Sequence, residues 1–264
     1  MHNFAYHRPS SLADAAKALQ AASDGKLVAG GMTLIPTLKQ RLAAPSDLVD
    51  LGRIAELKGI KTDGAGLTIG AMTPHGQVAS SAEVKSAIPA LAQLADGIGD
   101  PQVRNRGTIG GSIANNDPAA DYPAAVLGLG ATVRTNKREI KADDFFKGMF
   151  ETALEPGEII TAVVFPKPEK AGYAKFANPA SRYAVVGVMV AKTGGGVRVA
   201  VTGAGPGVFR VAEMEQALAS NFSADAVKGI KVPSTGLNSD MHASAEYRAH
   251  LVSVMAAQAV TAAR

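Results

Sequence analysis

Two glycine pairs constrain what this chain can fold into more than any other feature of its sequence. Gly30-Gly31 follows the run Lys26-Leu27-Val28-Ala29 and precedes Met32-Thr33, while Gly110-Gly111 lies between Thr108-Ile109 and Ser112, just after Arg106. Lacking a Cβ, paired glycines turn the backbone tightly and present successive N–H groups to one point. At the first pair, a strand over residues 26–29 is predicted to run into a helix over residues 34–42 that Thr33 can cap. The positive end of that helix dipole stands behind the turn, which suits a phosphate; an ordinary strand–turn–helix corner is built the same way. At the second pair, Thr108 and Ser112 supply hydroxyls. Asn115, Asn116, Asp117 and Asp121 follow, able to bond sugar or ribityl hydroxyls or simply to close a well-bonded loop. Two diphosphate-suited loops in one chain favour a nucleotide-type cofactor more than either does alone.

Composition narrows the classes further. The 264 residues are 47% hydrophobic and 19% charged, a globular balance that leaves room for two domains. No apolar run approaches the ~18 residues of a membrane span. The first residues carry no apolar secretory stretch, so the cytoplasm is the expected location. Cysteine and tryptophan are absent. The chain thus has no thiolate for a disulfide, for nucleophilic catalysis or for iron–sulfur ligation. Aromatics at 5% give little stacking platform for nucleic acid. Lysine and arginine are scattered despite the pI ≈ 9.2, which describes a basic solvated surface rather than a nucleic-acid face. The five histidines form no H-x-H or H-E-x-x-H pair, and the nucleophile-elbow, phosphate-loop and strict dinucleotide glycine motifs are missing. Asp143-Asp144 is expected to be a solvated or capping pair.

Periodicity places the elements around these loops. Ser11 with Asp14 starts a helix over residues 12–19, and strands are predicted at residues 47–51 and 67–71, the latter reached through Asp63-Gly64-Ala65-Gly66. Helical character returns near residues 74–80 and 90–95. Glycines and a proline make regular structure unexpected over most of residues 97–112. A helix is expected after Asp117-Pro118, starting there or restarting at Asp121. A strand covers residues 131–134, and residues 166–172 form a connector or the tip of an excursion. Strands at residues 173–176, 185–191 and 197–202 follow, with Gly194-Gly195-Gly196 as a hairpin between the last two. Helices close the chain near residues 211–219 and 244–263, the last with Tyr247, Leu251, Val254, Met255 and Ala262 on one apolar face.

Three strings, taken in order, resemble a known family. They are Ala29-Gly30-Gly31-Met32-Thr33-Leu34-Ile35-Pro36, then Arg104-Asn105-Arg106-Gly107-Thr108-Ile109-Gly110-Gly111-Ser112-Ile113-Ala114, then Asp117-Pro118-Ala119-Ala120-Asp121. The family is the FAD-binding medium subunit of molybdenum hydroxylases, the carbon monoxide dehydrogenase and xanthine dehydrogenase type, with the bacterial aldehyde and N-heterocycle dehydrogenases. Leu154-Glu155-Pro156-Gly157-Glu158-Ile159-Ile160, Tyr173-Ala174-Lys175-Phe176 and Glu246-Tyr247-Arg248 extend the resemblance over nearly the whole chain. Most of its specificity lies in the Arg-Asn-Arg-Gly-Thr-Ile-Gly-Gly string.

The resemblance implies an α+β protein of two domains. Residues 1–170 would form an FAD-binding fold of the vanillyl-alcohol oxidase type, shared with the cell-wall reductase for enolpyruvyl-UDP-sugars. Residues 171–264 would form a small antiparallel sheet packed with helices. It implies FAD, expected to be non-covalent because the chain has no cysteine and no histidine linkage signature near either loop, with Val28, Ala29, Gly30, Gly31, Met32, Thr33 and Leu34 as the first loop. Thr108, Ile109, Gly110, Gly111 and Ser112 would be the second, its amides and the threonine hydroxyl meeting the cofactor from the other side. Asp121 would bond a cofactor hydroxyl, and Ile98, Leu154 and Lys175 would add contacts. Met32 stands where many members carry Gln or His, so the first loop is expected to act through its backbone. No catalytic acid or base and no metal ligand is assigned. Valine at Gly110 or Gly111 is expected to abolish FAD binding while sparing much of the fold.

The implied role is electron output from a three-part hydroxylase. A large subunit would oxidise substrate at a molybdenum–pterin cofactor, a small subunit would carry two [2Fe–2S] clusters, and the FAD here would deliver electrons to NAD⁺, a quinone or another acceptor. The implied assembly is a dimer of heterotrimers, a heterohexamer. Two rivals stand beside it. One is a free-standing flavin oxidoreductase with its own substrate pocket, and the other a non-catalytic nucleotide-binding or scaffold protein.

Overall fold

A computed structural model describes residues 1–64 and 66–264; Ala65, in the predicted turn before residue 67, lies outside the described residues. The chain opens with β1 (Ala5–His7), α1 (Leu12–Ala21), β2 (Gly25–Val28), α2 (Leu34–Lys39) and β3 (Asp47–Asp50). The Ser11 hydroxyl caps α1 by accepting from the Asp14 amide at 3.1 Å. β1 and β2 both pair in parallel with β3, in the order β1-β3-β2. The Gly30-Gly31 turn therefore leaves the carboxyl end of a parallel strand, where α/β folds place their ligands. α2 is shorter than predicted. Arg41 takes a left-handed φ of 59° and stops it. Thr33 is itself αR and makes no side-chain cap; its carbonyl instead accepts from the Thr37 amide and hydroxyl.

The second part comprises β4 (Ile60–Asp63), β5 (Gly66–Gly70), α3 (His75–Ser80), α4 (Ala82–Ala87), α5 (Pro89–Asp96), α6 (Pro101–Arg106), α7 (Ile109–Asn115) and α8 (Tyr122–Gly128). It continues through β6 (Thr132–Thr135), β7 (Glu139–Lys141), α9 (Ala142–Phe145), β8 (Phe146–Gly148), β9 (Glu151–Thr152) and β10 (Ile160–Phe165). An antiparallel sheet runs β4-β5-β10-β6-β7, and β8-β9 is a separate hairpin.

Residues 97–112 are more regular than expected, because two short helices occupy most of them. Asp100 caps α6 by accepting from the Val103 amide at 2.8 Å, with Pro101 in its first turn, and Thr108 caps α7. Two glycines in a helix cost roughly 1 kcal/mol each. The cap and the tight seating of Gly110 on Ala71, where a Cβ would stand 2.6 Å from the Ala71 Cβ, outweigh that cost. Asp117-Pro118, by contrast, starts no helix, and the helix restarts at Asp121, the N-cap of α8. The Pro118 and Ala120 carbonyls accept from Thr202, and those of Pro118 and Ala119 from the Gly203 and Ala184 amides, so the segment closes only as a turn, with the Ala120 amide on Asp117 O at 3.0 Å, and α8 begins at Tyr122. Asn116 turns left-handed (φ 45°), and its side-chain amide donates to Gly148 and Glu151 carbonyls, holding the β8-β9 hairpin rather than offering itself to a ligand.

The last part is an antiparallel meander, β11 (Lys170–Ala177), β12 (Ala184–Thr193), β13 (Gly196–Thr202) and β14 (Phe209–Arg210), followed by α10 (Ala212–Ser220), α11 (Asp225–Lys228) and α12 (Ala245–Ala262). α12 buries a broad face and keeps an exposed stripe at Tyr247, His250, Gln258 and Thr261, and the face predicted for it is wrong at both ends: Tyr247 and Ala262 are exposed, while Arg248 and Ser253 are buried. It lies on β11 and β12 with α11 against its other side. Buried Arg248 is matched by the Val185 and Gly203 carbonyls and by both oxygens of Asp240. Asp143 is likewise not a free carboxylate, since Arg198 reaches it at 2.6 Å and Arg210 at 3.3 Å. One apolar core runs from Leu67, Ile113 and Val163 to Tyr173, Met189 and Ala200, crossing residue 170 without a break.

Gly172 on β11 lets this packing close, because any Cβ there would collide with the Ala259 carbonyl of α12. Gly172→Ala should destabilise the chain by about 1–3 kcal/mol, the usual cost of overpacking. Urea denaturation would show it as a lower midpoint at unchanged slope, and an unaltered midpoint would contradict the close contact.

Candidate functional site

Between the carboxyl end of β2, the start of α7, residues 154–160 and residues 181–183 lies a cavity of about 560 Å³. Ala29, Gly30, Gly31, Met32, Thr33 and Leu34 form one wall, Thr108, Gly110, Gly111 and Ser112 another, and Ile98, Asp121 and Leu154 complete the set of expected residues that line it. Val28, Ile109 and Lys175 stand behind the walls: Val28 in β2, Ile109 fully buried and Lys175 nearly so. Sequence reasoning missed Ala71, Met72 and His75 after β5, Ile159 and Ile160 at β10, and Ser181, Arg182 and Tyr183 in the turn between β11 and β12. No local pattern marks these residues, because topology alone brings them to the cavity.

The two glycine loops touch. A Cβ on Gly30 would collide with the Arg106 carbonyl, and Gly31 takes φ +74°. Their amides behave differently. In the first loop Ile35 N–H, bonded to Gly31 O at 3.0 Å, is the first to find a helical partner. Residues 31–34 keep the free N–H groups of a helix start. In the second loop, contrary to expectation, the amides are spent. Ile109 donates to Thr73 O, Gly110 to Ala71 O, Gly111 to the Thr108 hydroxyl and Ser112 to Thr108 O. Threonine caps its own helix and residues 71–75 pair edge-on with 107–110, so this side offers clearance and hydroxyls instead.

Asp121 is buried, and its Oδ1 accepts from Tyr173 Oη at 2.5 Å and pairs with Lys175 Nζ at 2.9 Å. Burial pushes its carboxyl pKa up, against the opposing pull of Lys175 and Tyr173. Lys175 also donates to the Gly97 and Arg182 carbonyls. Arg104 donates to the Ile98 and Gly99 carbonyls and Arg182 to Gly99 O. Three cations thus fix the turn that carries Ile98. On the opposite wall Glu158 receives Arg138 through two bonds of 3.0 Å, the Thr135 hydroxyl and the Glu155 amide. The Arg138 hydrogen bonds hold its carboxyl down to about 2, and Arg138 also grips Ala153 O, which sets Leu154 in place.

His75 is 5% exposed, with Nδ1 sealed and unbonded, and its ring lies 5.2 Å from that of Tyr122, whose hydroxyl is also unbonded. Burial, with Arg104 adding to it, lowers the imidazole pKa to about 4, so the ring is neutral at pH 7. Free amides at a helix start, glycine clearance that any Cβ would fill, nearby hydroxyls and a buried imidazole together fit a dinucleotide with an anionic diphosphate. Among the described residues no cluster of His, Asp or Glu could hold a metal ion, and no helix is long and apolar enough to cross a membrane.

Comparison with known proteins agrees with this chemistry. Residues 2–168 match the family described as the FAD binding domain in molybdopterin dehydrogenase. The nicotine 6-hydroxylase medium subunit of Paenarthrobacter nicotinovorans is 37% identical over 261 residues, 94% of this chain and 92% of that protein. The carbon monoxide dehydrogenase medium chain of Hydrogenophaga pseudoflava is 35% identical over 277 residues, 98% and 96% of the two chains. A solved structure of the carbon monoxide dehydrogenase from that organism, lacking the Mo-pyranopterin moiety of its cofactor, superposes with a TM-score of 0.88 at 37% identity, covering 98% of this chain and 96% of that one.

The two glycines of the second loop separate in consequence. A side chain at Gly110 would strike the Ala71 backbone at 2.7 Å, whereas one at Gly111 meets only the Thr108 hydroxyl at 3.0 Å and the Ala29 Cβ at 3.3 Å, in the space between the loops. Gly111→Val should therefore fold and weaken FAD binding, by about 10–100-fold if one charge-assisted hydrogen bond is lost. Gly110→Val should lose stability first. Flavin-fluorescence titration beside urea denaturation distinguishes them, and tight FAD binding by a folded Gly111→Val would remove this loop from the site.

His75 also makes stability depend on pH. Its folded pKa of about 4 lies below the unfolded value near 6.5, so the unfolded chain binds the extra proton between those limits. Stability contributed by the neutral ring is present above about pH 6.5 and is lost as pH falls toward 4. Unfolding of the FAD-free chain should be easier at pH 5 than at pH 7 by about 2 kcal/mol more than in His75→Gln. Equal pH slopes for both proteins would count against a buried neutral imidazole.

Proposed function

The chain belongs to the family of FAD-binding medium subunits of molybdenum hydroxylases, and from that premise we propose that it is the electron-output subunit of its complex. The observation that carries the proposal is the cavity between two touching glycine loops, one with free helix-start amides, in a chain without a single cysteine. The amides of residues 31–34 hold the diphosphate, backbone-first, which suits Met32 in place of a polar side chain. Thr108 and Ser112 present hydroxyls from the facing wall. Ile98, on its cation-clamped turn, and Leu154, on its Arg138-held segment, close on the ring system and keep water from it. Asp121, paired with Lys175 and Tyr173, orients this wall and faces a cofactor hydroxyl. Val28 and Ile109 act from behind by fixing the backbone of their loops.

FAD held by residues 31–34, Thr108 and Ser112 would supply two-electron and one-electron redox chemistry between the [2Fe–2S] clusters of a small subunit and NAD⁺, a quinone or another acceptor. Residues 1–170 form the FAD-binding domain and residues 171–264 a second domain that buttresses it. The partners are a large molybdenum–pterin subunit and the small iron–sulfur subunit, assembled as a dimer of heterotrimers in the cytoplasm. Relatives are named for nicotine and carbon monoxide chemistry, which fits a substrate chosen on the large subunit rather than here.

Reconstitution tests this directly. The purified chain should carry one FAD, released intact by acid precipitation, and should show no turnover with aldehydes, purines or carbon monoxide. Adding both partner subunits should produce substrate-dependent flavin reduction. Rapid flavin reduction by an organic substrate with the chain alone would establish a free-standing oxidoreductase instead.

A further inference from the structure

The second glycine loop has spent its amides on its own structure, so a cofactor oxygen on that side must be met by side chains. Among those lining the cavity there, His75 is placed to do so. Its backbone amide donates to Gly107 O at 2.9 Å, and Pro74 forms a β-bridge with Thr108, so residue 75 is registered to the first residues of the loop. A Cβ on Gly107 would stand 2.5 Å from Nε2 and 2.8 Å from Cδ2, which means that this ring edge lies directly on the glycine surface facing the cavity. Nδ1 points the other way, sealed and unbonded, on a side chain more than nine-tenths buried. The Tyr122 hydroxyl, buried and unbonded too, belongs to the ring packed against it. Arg104 is the charged group that acts on the imidazole from α6.

The geometry points to His75 as an FAD contact that donates Nε2–H to an acceptor oxygen of the cofactor on the second-loop side. The inference rests on the FAD assignment above. Burial keeps the imidazole neutral, so it has one proton to give, and the nitrogen that carries it is decided by what the other nitrogen accepts. Nδ1 is sealed with no group to accept a proton from it, so the proton sits on Nε2, beneath a glycine that admits nothing larger.

The test uses the full-length chain, ¹⁵N-labelled at histidine, titrated with FAD. His75 should show a protonated-type Nε2 signal, and that signal should move when FAD is added. By fluorescence titration His75→Phe should bind FAD about 10–100-fold more weakly, whereas His75→Gln, which keeps an N–H donor, should stay within about fivefold of the parent. If His75→Phe does not fold, the parent spectrum and His75→Gln still decide. An Nε2 signal that is unprotonated with FAD bound, or that ignores FAD, overturns the inference, as does parental affinity in His75→Phe. A parent chain that binds no FAD removes the FAD assignment together with it; tight FAD binding indifferent to His75 removes the inference alone.

Discussion

Asp121 accepts a tyrosine hydroxyl and a lysine ammonium on one oxygen while almost fully shielded from water, and three separate parts of the chain depend on that arrangement. Tyr173 and Lys175 come from β11, Asp121 from the end of the turn before α8, and Lys175 hands its remaining protons to Gly97 and Arg182 carbonyls. A buried carboxylate left without its partner costs about 3–5 kcal/mol, so the pair is held to one geometry once formed. Lys175 is therefore more a clamp than a free ligand. Its ammonium is saturated, and its effect reaches the cavity through Ile98 and Asp121.

The two glycine loops look alike in sequence and do different work. After Gly30-Gly31 the chain starts a helix without a side-chain cap, which leaves the first-turn amides exposed to the cavity. After Thr108 it starts a helix with a cap, and the amides are satisfied. The difference lies in residue placement. Thr33, which sequence alone marks as a cap, is already in the helical region, while Thr108 is extended and can fold its hydroxyl back. An anion in the cavity thus meets the positive end of α2 on one side and neutral donors on the other. That asymmetry orients a diphosphate better than two equal cradles would.

Much of this was legible in the sequence. The strand, the Gly-Gly turn and the following helix could be read from residues 26–36 because each has a local cause, and the Arg104–Ser112 string is specific enough to identify the family. Elements with non-local causes were not legible. Glycine content argued against helices in residues 97–112, yet Asp100 and Thr108 supply caps, and Gly110 is needed small for its contact with Ala71, sequence-distant by nearly 40 positions. Asp117-Pro118 carries a helix-start signal that loses to hydrogen bonds from Thr202 and Gly203, far along the chain. α12 misled because the predicted apolar stripe was too narrow and misplaced at its ends, whereas β11, β12 and α11 bury a broader face and an ion pair lets Arg248 lie inside.

The same non-local bonds decide what the second part of the chain is for. Residues 117–121, which end in Asp121, form a turn whose carbonyls are taken by Ala184, Thr202 and Gly203. Residues 181–183 line the cavity from the turn between β11 and β12, and Arg182 reaches back to Gly99. The apolar core beneath is continuous across residue 170. Residues 1–170 hold both glycine loops, yet by themselves they lack Tyr173, Lys175 and Arg182, so the Asp121 charge would be left buried and unpaired and the Ile98 turn would lose two of its three cations. A carboxylate in that position must take up a proton or pull water into the site. The cofactor wall is thus a joint product of both parts, and the C-terminal meander sets the shape of the site even though the glycine motifs lie wholly outside it.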